Sequence, residues 1–374
     1  MSCVEGATRR SDREASAGER ATMLGLPLTL PRRRDRSNAL LNSKKANMSR
    51  LVLAATVCGT LASLVLCSAF QGPTLPRCSW IQHPPAQSPS ARASMASAYD
   101  PSTGKLVIFG GYDATGYLPE TWSYDGATWT QEQPASSPSG RAGASMAYDA
   151  VQHVLLLFGG FDGQQHLGDT WIWDGASASW TQAFPAHSPV AVTGPMLFTD
   201  PINGRVDEYG GYSGQFYQLN TWRWSGSDWT QVPTATSPWA RSTAVVALDR
   251  VAHKVVMFGG LGSVNTNNTW SFDGTNWTME SPALQPPNRY YSKAAFDPRL
   301  GHVVLFGGGS GGSDLADTWQ WTGTTWQALQ PVHSPAVRES FALAYDNAVG
   351  SLVLFGGENA NTQFNDTQWL AVRP

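Results

Sequence analysis

Residues 78–100, CSWIQHPPAQSPSARASMASAYD, open the patterned part of the chain just after a hydrophobic stretch. Residues 127–149, ATWTQEQPASSPSGRAGASMAYD, carry nearly the same text, but as the tail of one unit running into the next. The final unit, FGGENANTQFNDTQWLAVRP (355–374), stops short of such a tail. One unit is therefore split, with its tail at the front of the chain and its body at the back.

The other units lie between these fragments. Gly-Gly pairs begin at Gly110, Gly159, Gly210, Gly259, Gly307 and Gly356, at spacings of 49, 51, 49, 48 and 49 residues. Each is preceded by an Ala/Ser-rich stretch that ends in Asp (Asp100, Asp149, Asp200, Asp249, Asp297, Asp346) and by an apolar run such as KLVIF or HVLLLF. Each is followed by a polar loop and a segment such as ETWSY or DTWIW, then in five units by a Gly-bearing turn and a second Trp (Trp129, Trp180, Trp229, Trp277, Trp326). Short apolar runs separated by turn residues predict four strands per unit, a to d, joined as two hairpins. Asp-Gly suits the tight c–d turn, and Gly-Gly ends strand b where the backbone must turn or pack closely.

The double glycine, the following acid or amide and the two spaced tryptophans, at a period of about 50 residues, resemble the kelch repeat over roughly residues 78–374. The resemblance implies an all-β fold: a six-bladed β-propeller with four antiparallel strands per blade around a central channel. The last unit ends after strand c, so CSWIQ, through Trp80, is expected to supply strand d of the sixth blade. That closure leaves no frayed sheet edge. Each buried Trp removes about 150–250 Å² from water, worth roughly 4–6 kcal/mol as an upper bound.

Charged residues make up 14% of the chain and the net charge is −3, but the charge is unevenly spread. Of 25 Lys and Arg and 28 Asp and Glu, residues 1–69 hold 11 and 5, which leaves the remainder at −9. A body that acidic speaks against nucleic-acid binding, which rests on phosphate neutralisation. From Met48 the text MSRLVLAATVCGTLASLVLCSAF reads as a secretory signal peptide over 48–69, with Cys67-Ser68-Ala69 before the cut; an uncleaved membrane anchor is the alternative. Residues 1–47 are expected to be a disordered lead or to precede the true start, and 70–374 to form the propeller. Cleavage leaves Cys78 as the single cysteine, so no internal disulfide is expected. The expected location is secreted or periplasmic, at the cell envelope, and the expected state is a monomer.

Chain direction puts the b–c loops and the d–a connections on one face, where a ligand site is expected. Two features meet there. An arginine follows the strand-d Trp by 12 residues in five units: Arg92, Arg141, Arg241, Arg289 and Arg338. Ringing the channel mouth, these would take carboxylates, sulfates or an acidic peptide; alternatively each pairs with the acid or amide opening strand c (Glu120, Asp169, Asn220, Asn268, Asp317, Asp366) and holds the blades together. The b–c loops also carry Tyr112, Tyr117, Phe161, Tyr212, Phe216, Tyr217 and Phe364, platforms for sugar faces or peptide side chains unless they pack over the blade tops.

Blade three departs from the pattern. Val192 stands at the arginine position, and strand b contains Asp207 and Glu208 where its sisters are apolar. Buried carboxylates need partners or raised pKa values. These two are either functional carboxylates or members of an inter-blade ion pair with Arg205 or Arg223, and adjacent strand residues point to opposite faces.

Metal and cofactor chemistry finds little support. The seven histidines are scattered. Copper oxidases resembling galactose oxidase share kelch blades, but need Tyr and His ligands and a Cys beside a radical Tyr, whereas Cys78 precedes the first full blade. The DGATW turns differ from the sialidase Asp-box, which sets one residue between Asp and Gly. No Ser-His-Asp order, phosphate loop or nucleotide fingerprint occurs. The expectation is an exported, non-catalytic module that binds a protein or an extracellular glycan, without cofactor or metal. A carbohydrate-active enzyme using Asp207 or Glu208 and a purely structural envelope protein are the competing classes.

Overall fold

The computed structural model describes residues 77–373, apart from 265 and 361. The expectations for 1–47, for the signal peptide and for 70–76 fall outside the described residues.

The described chain is all-β, and six four-stranded antiparallel sheets carry the architecture. In blade 1 the strands run Ala96–Asp100, Lys105–Phe109, Thr121–Tyr124 and Trp129–Glu132, paired in chain order. Blades 2 to 5 repeat the order. Blade 6 takes strands a to c from Ala342–Asp346, Ser351–Phe355 and Thr367–Arg373, and its outer strand is Arg77–Gln82. That strand pairs Cys78 with Val372 and Trp80 with Leu370, so the first and last described strands close the ring as the split repeat predicts.

Strand b is apolar on both sides because both sides are covered. Val107 and Phe109 of blade 1 pack with Met146, Leu155, Leu157 and Trp180 of blade 2. Corresponding clusters fill the other interfaces, the last joining Trp80 and Leu370 to Val304 and Phe306 of blade 5. The strand-d tryptophans also fasten each blade to the one before. Trp80, Trp129, Trp180, Trp229, Trp277 and Trp326 donate Nε1–H to Thr318, Thr367, Thr121, Thr170, Thr221 and Thr269, at 2.8–3.2 Å. Each threonine lies on a strand c, and all but Thr318 open it.

The aspartate of each unit ends or follows strand a, and its carboxylate turns the chain. Asp149, Asp200 and Asp249 each accept two backbone N–H bonds from the a–b turn, the Asx geometry that pins a turn without regular pairing. The double glycine has a steric reason. A Cβ on Gly259 would stand 2.3 Å from the Arg289 carbonyl oxygen of the next blade, and the amide of Gly260 donates to that oxygen at 2.8 Å.

One element is longer than its sequence suggests. The b–c loop of blade 5 continues the ladder, giving nine-residue strands His302–Ser310 and Ser313–Trp321 with an irregularity after Phe306. The Gly311-Gly312 tip lets this hairpin turn tightly, with φ of 57° and 88°.

Candidate functional site

Strand a of each blade begins three residues after a bridge to its own b–c loop: Ala93 pairs with Tyr112, Thr193 with Tyr212, Tyr290 with Gly309, and Glu339 with Glu358. The d–a connections and b–c loops therefore share one face. Between bridge and strand lies a residue with positive φ in every blade: Ser94, Gly143, Gly194, Thr243, Tyr291 and Ser340, at 53–66°. These six close a circle. Each amide donates to the carbonyl of its counterpart in the preceding blade at 2.7–3.2 Å, from Ser94 to Ser340 and round to Ser340 to Tyr291. The left-handed conformation aims both peptide groups along the circumference, which is why Gly fits twice and why a bulky Tyr there is unusual.

Below the circle the strands a enclose a cavity of about 140 Å³, whose wall includes Ser94, Thr243, Tyr291, Lys293 and Ser340. Above it lies a mouth built from the loops. Tyr112 of blade 1 donates its hydroxyl to Glu358 Oε1 of blade 6. Burial, and then that bond to a carboxylate, pushes the Tyr112 phenol above its usual range. Tyr291 is raised by burial, then by the charges of Glu339 and Tyr217. Tyr112 of blade 1 and Tyr291 of blade 5 thus lie close to Glu339 and Glu358 of blade 6, and Tyr217 of blade 3 lies near Tyr291. Glu339 is pushed up to about 7 by burial, then by Asp314 and Glu358. Its carboxylate has no ion-pair or hydrogen-bond partner among the described residues.

The remaining loop aromatics divide. Tyr212 packs at a tilt against Tyr217 at 4.9 Å between ring centres, and Tyr117 packs edge-on against Phe161 at 6.0 Å. Phe364 lies beneath the Arg338 guanidinium at 4.1 Å. Phe216 stands out from the face, 70% exposed.

The arginines do not offer themselves to a ligand. Arg92, Arg141, Arg241, Arg289 and Arg338 are 0–1% exposed. Four hold the acid opening strand c of their own blade, Glu120, Asp169, Asp317 and Asp366, at 2.5–2.7 Å. Each of the five also donates to the carbonyl of its own first paired glycine, as Arg289 does to Gly307 at 3.0 Å. Meanwhile its backbone carbonyl receives the preceding blade's second glycine. The arginine side chain is thus a pin within its own blade: the pairing with the strand-c acid occurs in four blades, but it joins parts of one blade and not neighbouring blades. Arg241 is the exception, because Asn268 replaces the acid and one Nη is buried without a partner. Burial alone pulls it down to about 10.

In blade 3 the pin is missing. Val192 leaves a void of about 40 Å³ lined by Val190, Glu208, Gly210 and Asn220, the positions an arginine side chain spans in its sisters. Glu208 is 2% exposed, Oε1 has no partner, and burial raises its pKa well above the carboxylate range. Asp207, fully buried, is gripped by Arg223 at 2.7 and 2.8 Å. The pair lies within one sheet, on directly opposed residues of strands b and c, and not between blades. Arg223 also holds Asp200. With one guanidinium serving two carboxylates, burial keeps Asp207 up at about 7. Neither Asp207 nor Glu208, the two candidate catalytic carboxylates, lines the central cavity.

Sequence reading missed Tyr290, Tyr291, Lys293, Asp314, Glu339 and Glu358. The signal was present, since each breaks its column of the repeat. The residue after the arginine is Ala, Ala, Ser, Tyr or Glu, and only blade 6 puts carboxylates on both sides of that bridge.

Among solved structures, YjhT shares the fold with a TM-score of 0.62 over 78% of this chain and 99% of that one, at 17% identity. That likeness carries the fold alone. No curated protein matches. The family model of the KLHDC2/KLHL20/DRC7 kelch-repeats domain matches residues 74–197 and 187–373. Together these spans take in all six blades, and the chain belongs to the kelch-repeat family.

Proposed function

We propose that this protein is an exported, non-catalytic interaction module that binds a protein partner at the mouth formed by its b–c and d–a loops. The observation that carries this reading is the Tyr112 hydroxyl bonded to Glu358, with Glu339 and Tyr291 beside that pair. An unpaired carboxylate beside a second one, walled by phenol rings, suits a basic side chain through charge and cation–π attraction. The ligand polarity is thus opposite to the acidic peptide expected of an arginine ring. Exposed Phe216, Leu219 and Trp239 on the same face offer further apolar contact.

The test is a proteome and glycan binding screen with the wild-type protein and Glu339→Gln. Capture of basic segments that weakens with salt and drops at least about tenfold in the variant supports the reading. Selective capture of neutral glycans, unchanged in the variant, overturns it in favour of sugar recognition.

A further inference from the structure

The central cavity carries a charge that nothing answers. Lys293 opens strand a of blade 5 and lies in the cavity wall. It is the one charged side chain among the lining residues, and no carboxylate stands with it. It has neither an ion-pair nor a hydrogen-bond partner among the described residues. The corresponding residues of the other blades are Ala96, Ser145, Met196, Val245 and Ala342, small or apolar groups that need none.

The wall around it is rich in hydroxyls: Ser94, Ser97, Ser145, Thr243 and Ser340 line the same cavity. Thr243 Oγ1 is buried without a partner, as is Ser292 Oγ nearby. An ammonium taken out of water is costly unless an opposite charge or hydrogen-bond acceptors meet it. Lys293 is half-buried against this wall, and burial alone acts on it, pulling the amine below its usual range. Hydroxyls that lack acceptors have one donor each to give. At about 140 Å³ the space takes only a few heavy atoms with their water.

We infer that the channel is a binding site for a small free oxyanion, a monocarboxylate or inorganic phosphate, held by the Lys293 ammonium and the surrounding serine and threonine hydroxyls. The ligand completes the ion pair that the strand lacks and gives the hydroxyls acceptors. The site lies inside the circle of six peptide bonds, below the acidic mouth with which it shares Tyr291, and it is read through Lys293, which the partner proposed there does not require. An anion inside an acidic body needs such a local cation, because the body as a whole repels it.

The full-length chain has five lysines, which makes lysine side-chain NMR tractable. The protein labelled with ¹³C at lysine Cε is titrated with acetate, formate, phosphate and sulfate through the millimolar range at constant ionic strength. The signal lost in Lys293→Met is expected to move saturably with at least one of them while the other lysines stay still. The same anion should raise the melting temperature of the wild type and not of Lys293→Met. Should that variant fail to fold, Lys293→Arg assigns the signal and retains binding. A Lys293 signal indifferent to all four anions overturns the proposal. So does a uniform drift of every lysine, the mark of ionic atmosphere alone.

Discussion

Trp80 Nε1 donates to Thr318 Oγ1 at 3.2 Å across 238 residues of sequence. The same bond joins every other pair of neighbouring blades. It makes the N-terminal strand a structural equal of the five strands d that follow their own strand c. Replacing Trp80 with Phe keeps most of the apolar burial and loses the hydrogen bond, at about 1 kcal/mol. Trp80→Ala also opens a cavity at the last interface and costs about 3–5 kcal/mol. Urea unfolding measures both. A chain begun at Ala91 that melts with the wild type would show that the ring closes by other means.

Arg241 is the weak pin. Its sisters Arg141 and Arg289 hold carboxylates in bidentate grip, whereas Asn268 leaves an Nη of Arg241 unbonded. Asn268→Asp supplies the missing acid to a guanidinium already positioned and already desolvated. The variant is expected to gain about 1–2 kcal/mol, read as a raised melting temperature. Arg289→Ala, which strands Asp317 at a partly buried site, should lose about 3–5 kcal/mol. If Arg289→Ala folds with unchanged stability and instead loses ligand, the arginines belong to binding after all.

Glu208 stands where Leu157 and Met257 stand in the neighbouring blades, beside the void that Val192 leaves. Its folded pKa lies above the unfolded value, so the folded state binds the proton more tightly. That contribution is fully present below the unfolded pKa and fades as pH rises toward the folded one. Glu208→Met removes the burden and is expected to stabilise the protein, more at alkaline than at acidic pH. Denaturant titrations across the pH range check the slope. An advantage that shrinks as pH rises would contradict a buried, proton-holding Glu208.

Periodic features were legible because each residue performs the same task six times. The Gly-Gly spacing, the aspartate turn and the strand-d tryptophan announce themselves by recurrence, and the broken repeat fixed the blade count. Recurrence misleads about function for the same reason. The five arginines stand out in sequence, yet their side chains are consumed in holding glycine carbonyls and, in four of them, acids. What distinguishes this propeller sits where columns disagree. Tyr112 and Glu358 are far apart in the chain and meet only because the ring closes. Lys293 looks like one more polar residue until the wall around it is known. Asp207 and Glu208 were visible anomalies, but which face each occupied, and that a same-sheet arginine met Asp207, required the register.

Glu339 links stability to the mouth. Burial, reinforced by Asp314 and Glu358, lifts its pKa from 4.5 to about 7 in the folded protein. The stability it lends is complete below the unfolded pKa of 4.5 and is lost as pH climbs through about 7. Glu339→Gln keeps the shape and cannot ionise, so the difference between wild type and variant isolates this group from Glu208 and Asp207. After discounting for partial exposure, wild type should fall relative to Glu339→Gln by roughly 1–2 kcal/mol between acidic and mildly alkaline pH. A bound basic ligand reverses the sign, because it favours the carboxylate. Affinity for such a ligand is therefore expected to rise over the interval in which the free protein loses stability. Calorimetric binding at several pH values tests this directly. Affinity that stays flat with pH, or that falls, would mean that Glu339 does not meet the ligand's charge.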